Sequence, residues 1–192
     1  MPQTGPCNPF ELLARHYDAA SEAYRILVTH SILVARKART LGERFLERHP
    51  EADLDLEFLT EAALLHDIGI GRCHAPEIGC TGAEPYIRHG VAGREILEVE
   101  GLPRHALVCE RHTGSGITTI EIEAQGLPLP PRDYLPVSLE EKLICVADKF
   151  YSKDPRKLWR EKRPEKIARQ IERHGPAAAA RWKELAAAFL PG

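Results

Sequence analysis

The chain has 192 residues, 43% of them hydrophobic and 28% charged, a composition that excludes intrinsic disorder and collagen-like or low-complexity architectures. Its length favours a single domain, residues 1–192, with enough buried surface to need no disulfide or metal staple. Twenty-six Lys and Arg against 28 Asp and Glu leave a net charge of -2, which supplies no overall field for drawing in nucleic acid or an anionic membrane.

The opening Met1-Pro-Gln-Thr-Gly-Pro has no basic segment followed by an apolar run. No stretch reaches the roughly 18 to 20 apolar residues needed to cross a bilayer, so the expected location is the cytoplasm and no membrane partner is expected. Five cysteines, Cys7, Cys73, Cys80, Cys109 and Cys145, are odd in number and form no C-x-x-C pair, which points to reduced, mostly buried thiols.

Apolar residues recur at three- and four-residue spacing along most of the chain, which predicts an all-α fold. A short first helix is expected over 9–20, with Phe10, Leu13 and Tyr17 on one face. Ser21 can cap a longer helix reaching residue 48, closed by His49-Pro50 because the residue before proline is driven out of helical geometry. A third helix, 55–67, places Leu59, Ala62, Ala63 and His66 on one face and stops at Gly69. The segment 69–84 holds four glycines at Gly69, Gly71, Gly79 and Gly82 together with Pro76, and reads as a long loop, a lid or rim over a site. Pro85 and Pro103 open two further helices, ending at Gly101 and at the Gly114-Ser-Gly116 turn. The run Leu127-Pro-Leu-Pro-Pro131 is a rigid connector. Ser138 and Glu141 have capping-box spacing for a helix to about residue 152, and two last helices cover 164–173 and 176–190. The core is expected over 21–152, with the helices of 164–190 packed beside it.

Nine histidines stand out in the composition. His66-Asp67 closes an apolar helix where a hydrophobic run should continue into the core, and buried imidazole and carboxylate are costly unless they coordinate a cation or join a salt-bridge network. His30 shares a face with Ile26, Leu27, Leu33 and Val34; His89 lies with Ala92, Gly93 and Ile96; His112 follows Val108 and Cys109; Asp148 lies among Ile144, Cys145 and Tyr151. A lone inward histidine is an ordinary core residue. Inward donors on several separate helices instead suit a metal site built in a bundle. Imidazole and carboxylate without thiolate suit iron, manganese, zinc, nickel or cobalt, and four His with two Asp suffice for two ions if one carboxylate is shared. Cys73, His74 and Cys80 have irregular spacing and read as part of an ordinary loop.

The order His30, His66-Asp67, His89, His112, Asp148, with the segment Ala63-Leu-Leu-His-Asp-Ile-Gly69, resembles the HD-domain superfamily of metal-dependent phosphohydrolases. The resemblance covers about residues 25–152 and implies an all-α bundle with the metal site in its core. It implies that His30, His66, Asp67 and Asp148 hold a first metal, and that His89, His112 and Asp67 hold a second. Two divalent or trivalent ions are implied, iron or manganese foremost, with nickel, cobalt, zinc and magnesium as further options.

Many branches of that family carry a Lys or His three residues after the Asp of the doublet, where this chain has Ile70. Arg72, Arg111 and Lys149 are the cations expected to act there with Asp67, and His74 is a further candidate. The implied reaction is hydrolysis of a phosphate ester or anhydride in a small molecule of the nucleotide class. The same ligand set also serves di-iron oxygenases that resemble these hydrolases, and a third reading is a non-catalytic signalling domain. Residues 149–173 carry ten Lys or Arg against four Asp or Glu; this segment reads as a solvated helix face, and a nucleic-acid partner is not expected. No heptad seam speaks to the oligomeric state.

Overall fold

The computed structural model describes residues 8–190; Cys7 and the opening hexapeptide lie outside the described residues. The fold is all-α, as the periodicity predicts. Nine α-helices are described: α1 (Pro9–His16), α2 (Glu22–Arg48), α3 (Leu56–Leu65), α4 (His89–Val99), α5 (Pro103–Arg111), α6 (Thr119–Gln125), α7 (Leu139–Asp148), α8 (Pro164–Ile171) and α9 (Pro176–Phe189). No helix among the described residues is long and apolar enough to cross a membrane.

Local chemistry sets the helix starts. Ser21 Oγ accepts from Tyr24 N–H, Asp55 accepts from Glu57 and Phe58 N–H, and Ser138 Oγ accepts from Glu141 N–H, each satisfying amides that have no partner inside the helix. The reciprocal half of the expected box at Ser138 is not made. The Glu141 carboxylate instead accepts from Val137 N–H at 2.7 Å and from Arg111. A full capping box forms at Thr118 and Glu121 and starts α6, in a stretch to which the sequence pattern assigns no element.

Two apolar clusters pack along the buried face of α2, one on its first turns and one on its later turns. One joins Val34, Ala38 and Leu41 of α2 to Leu59 and Ala63 of α3, Leu143, Ile144 and Ala147 of α7, and Ile167, Trp182 and Phe189 of α8 and α9. The other joins Ile26 and Leu27 to Leu12 and Leu13 of α1, Leu65, Ile68 and Ile70, Leu97 of α4 and Cys109 of α5. His30 lies between Leu27 and Val34, and His66 between Ala63 and Leu65, so the polar residues sit at the seam of the two clusters.

The segment 69–84, expected as a long loop forming a lid or rim, is not structureless. A 3-10 turn (Ile68–Arg72) leads into a small antiparallel hairpin, β1 (His74–Ala75) with β2 (Cys80–Thr81), in the register His74↔Thr81 and Ala75↔Cys80. Ile70, Cys73, Ala75, Ile78 and Cys80 are buried, and these apolar side chains fix the segment as a wall of the second cluster. The third helix is shorter than expected, because His66 and Asp67 leave the helix as it passes into the 3-10 turn. Helix α7 likewise ends at Asp148 rather than near 152. Lys162 Nζ donates to the carbonyls of Lys149 and Tyr151 and turns the chain there.

Candidate metal centre

Three histidines share one local device. Nδ1–H of His66 donates to the Ala63 carbonyl, that of His89 to the Tyr86 carbonyl and that of His112 to the Cys109 carbonyl, each at 2.7 Å and each three residues back. Ala63 and Cys109 lie in the last turn of their helices, where carbonyls run out of amide partners, whereas the Tyr86 carbonyl also accepts the His89 backbone N–H. The Nδ1–H bond orients each ring with Nε2 turned inward, the arrangement in which a deprotonated Nε2 ligates a metal.

Close packing brings the rings together. A Cβ on Gly69 would lie 2.1 Å from the His89 carbonyl oxygen and 2.3 Å from Gly93 N, and one on Gly90 would lie 2.6 Å from the Cys109 carbonyl oxygen. Missing side chains thus let the 3-10 turn, α4 and α5 meet at backbone distance. His89 Nε2 and His112 Nε2 are then 3.1 Å apart.

The donors fall into two sets that share Asp67. His30, His66, Asp67 and Asp148 place one ligand atom each within 4.8 Å of one another, as do Asp67, His89 and His112, and all six residues are buried. His30 Nε2 is 2.9 Å from Asp148 Oδ1 and 3.2 Å from Asp67 Oδ2; His66 Nε2 is 2.9 Å from Asp67 Oδ2; His89 and His112 Nε2 approach Asp67 Oδ1 at 3.5 and 3.4 Å. Yet His66 Nε2 and both Asp67 oxygens make no hydrogen bond of good geometry. Apart from the His30 Nε2 to Asp148 Oδ1 hydrogen bond and the close His89–His112 contact, the ligand atoms converge on common points.

The electrostatics fit the same reading. Burial, with a contribution from His112, holds His89 down to about 3, and burial lowers His112 as well. Both rings are therefore neutral, and with Nδ1–H committed to carbonyls, two Nε2 lone pairs face each other at 3.1 Å. A cation between them and Asp67 relieves that opposition. At His66 burial lowers the pKa, but the Asp67 charge and Asp148 overcome it and raise the group to about 9. Burial would raise the carboxyl groups of Asp67 and Asp148, but His66 and Lys153 hold the first well below its usual range, and Lys149 and Lys153 do the same for the second. The donor chemistry fits a divalent metal centre.

Of the cations expected beside it, Lys149 Nζ touches Asp148 Oδ2. Arg111 is paired with Glu141 at 3.2 Å and Arg72 with Glu95 at 2.8 Å, and neither forms an ion pair with Asp67 or Asp148. His74 is exposed. The sequence reading missed Lys153. Its Nζ is 2.6 Å from Asp67 Oδ2, with only 14% of the side chain exposed. Asp67 and Asp148 outweigh its burial and raise its pKa. Lys153 lies past the end of α7, where helical spacing says nothing about direction. Cys73, Cys80, Cys109 and Cys145 are buried free thiols, and among the described residues the two sets sharing Asp67 are the metal-compatible clusters.

An all-α bundle with a buried two-lobed His/Asp set at the seam of its cores defines a class of metal-binding helical domain. The HD domain family model matches residues 27–152, and the chain belongs to that family. It is 42% identical over 123 residues to an uncharacterized protein of Methanocaldococcus jannaschii, a match covering 64% of each chain. It is also 40% identical over 123 residues to a tRNA (cytidine(56)-2'-O)-methyltransferase of Picrophilus torridus, covering 64% of this chain and 32% of that one. A protein of the same name from Thermoplasma volcanium is 35% identical over 107 residues, covering 55% of this chain and 28% of that one. The matches thus span less than two thirds of the first relative and about a third of the other two. No significant match to a solved structure is found.

Proposed function

We propose that the protein is a metal-dependent phosphohydrolase that acts on a phosphate ester or anhydride of the nucleotide class, with two ions sharing Asp67, iron or manganese foremost. The observation that carries this reading is the facing pair of Nε2 atoms of His89 and His112, 3.1 Å apart, set against a carboxylate already shared with His30 and His66. When bound, the ions supply Lewis-acid chemistry, activating water and polarising a phosphoryl oxygen.

The chain's own residues do the rest. Asp67 ties the two lobes together; His30, His66 and Asp148 hold one side and His89 and His112 the other, with ring orientations fixed by the carbonyl bonds. Lys153 and Lys149 present ammonium groups beside Asp67 and Asp148, placed to neutralise charge developing on phosphoryl oxygens. Lys153 fills the role left open by Ile70. Methyl transfer, the activity in the names of two relatives, is not carried over, because the match spans about a third of each.

The test is phosphate release from a nucleotide panel by metal-free protein reloaded with manganese, iron, nickel or cobalt. Release should require both metal and Asp67, and should vanish in Asp67→Ala. Release that persists in Asp67→Ala, or silence across the panel with metal bound, would overturn the assignment.

A further inference from the structure

Beyond the metal centre, residues 157–170 enclose an open concavity of about 760 Å³. Arg160, Lys162, Arg163, Lys166 and Arg169 line it, and none of the five has a carboxylate within ion-pair distance among the described residues, whereas Arg156 and Lys157 just before them are held by Asp154. Of the two acidic residues on the wall, Glu161 is occupied by Lys37 at 2.6 Å and by the Tyr151 hydroxyl, which leaves Glu165 against five cations.

Arg163, Lys166 and Arg169 are spaced by three along α8 and its first flanking residue, so they follow one side of the helix and make a stripe. Lys162 is partly buried and donates to the backbone carbonyls of Lys149 and Tyr151, which fixes this end of the groove to the chain after α7. Next to Arg160, Trp159 is 73% exposed while its neighbour Leu158 is 2% exposed. Leu158 anchors the turn, and Trp159, adjacent in sequence to the lining residue Arg160 but outside the lining itself, exposes its indole to solvent.

We infer that this groove binds the phosphodiester backbone of a single-stranded polynucleotide, with a base stacked on Trp159. Cations without a carboxylate partner along a groove, with an exposed aromatic nearby, are the elements of sequence-tolerant single-strand binding. In the sequence alone the segment is a charge run on a solvated helix; the fold gathers its cations around one concavity and ties their acidic neighbours elsewhere. Binding here does not depend on the hydrolase reading, because no residue of the groove belongs to the metal centre.

The test uses the full chain carrying Asp67→Ala, so that hydrolysis does not interfere, and a fluorescein-labelled eight-nucleotide oligoribonucleotide, with the matching DNA oligomer and inorganic tripolyphosphate as further arms. Anisotropy should show binding of the RNA or the DNA with a log–log salt slope of about -2 to -3.5, the value for three to five contacts on a single strand. The triple change Arg163→Gln, Lys166→Gln, Arg169→Gln should reduce that slope by about 2. Trp159→Ala should weaken binding at least ~5-fold and Trp159→Phe should restore most of it, with thermal melting showing that each variant is folded. Binding unchanged in the triple variant, absence of oligonucleotide binding, or tripolyphosphate binding as tightly as the oligomers with no effect of Trp159→Ala would each overturn the inference. Preference between the RNA and DNA arms identifies the sugar.

Discussion

Gly69→Ala tests how the two lobes are held together. The added Cβ would stand 2.1 Å from the His89 carbonyl oxygen and 2.3 Å from Gly93 N. Both are backbone atoms of α4 that cannot rotate away, so relief to ordinary contact near 3.4 Å needs a shift of about 1.3 Å at His89, by subtraction. Overpacking of this kind costs typically ~1–3 kcal/mol, and a rigid helix puts the site at the upper end. At ~2–4 °C per kcal/mol for a chain of this size, the midpoint of thermal unfolding should fall by about 6–12 °C. The same shift moves the His89 ring off His112, so the lobe of Asp67, His89 and His112 should lose about ten- to hundredfold in metal affinity, the range seen when ligand-orienting contacts are lost. The lobe of His30, His66 and Asp148 should keep its ion. Calorimetry of the metal-free variant and metal titration of the same preparation read the two effects. A midpoint within 2 °C of wild type with two tight ions would refute the packing argument.

Lys153→Met removes a cation 2.6 Å from Asp67 Oδ2; metal affinity should rise at least ~10-fold, since a like charge at this range opposes the ions by several kcal/mol even when screened, while kcat/KM for a phosphate ester should fall. Equal metal affinities in the two proteins would show that Lys153 does not compete for Asp67. The metal-free protein should be most stable near pH 6.5. Below this, His89 at about 3 and His105 at about 4 stay neutral when folded, so the unfolded chain binds more protons and stability falls, by about 1.4 kcal/mol per pH unit for each group. Above it, His66, raised to about 9, loses its contribution between pH 6.5 and 9; denaturation midpoints in urea from pH 4 to 9.5 check both arms, and a profile rising steadily with pH would contradict them. Thr118→Ala removes the cap of α6 and should cost ~1 kcal/mol, read in the same urea assay; no change would mean that α6 is held by Arg181 and its pairing to Glu121 alone.

Much of the site could be read before the fold because ligand types recur on apolar faces. His30, His89 and Asp148 sit on apolar helical faces and His66, Asp67 and His112 directly follow apolar helices, and the structure brings all six together. Helix starts at Ser21, Asp55 and Ser138 were legible for a similar reason, since a cap is a property of three or four neighbouring residues. Tertiary contacts decided the rest. Thr118 and Glu121 carry a capping signal for α6, but the short stretch before the prolines of 127–131 shows no helical period to go with it. The glycines of 69–84 read as looseness, whereas Gly69 is there for close approach of α4, and Ile70, Cys73 and Ile78 fasten the segment to the core. Arg72 and Arg111 were plausible by proximity in sequence, but Glu95 and Glu141 hold them from distant elements. Lys153 reaches Asp67 because Lys162 turns the chain after α7, a contact that no periodicity encodes.

The sharing of Asp67 between two ions is tested most directly by electron paramagnetic resonance of metal-free protein titrated with manganese(II). The geometry predicts two ions per chain and, at the second equivalent, the spectrum of an exchange-coupled pair, which Asp67→Ala abolishes. A second equivalent that adds only uncoupled, single-ion signal, or a stoichiometry that stops at one, would contradict it.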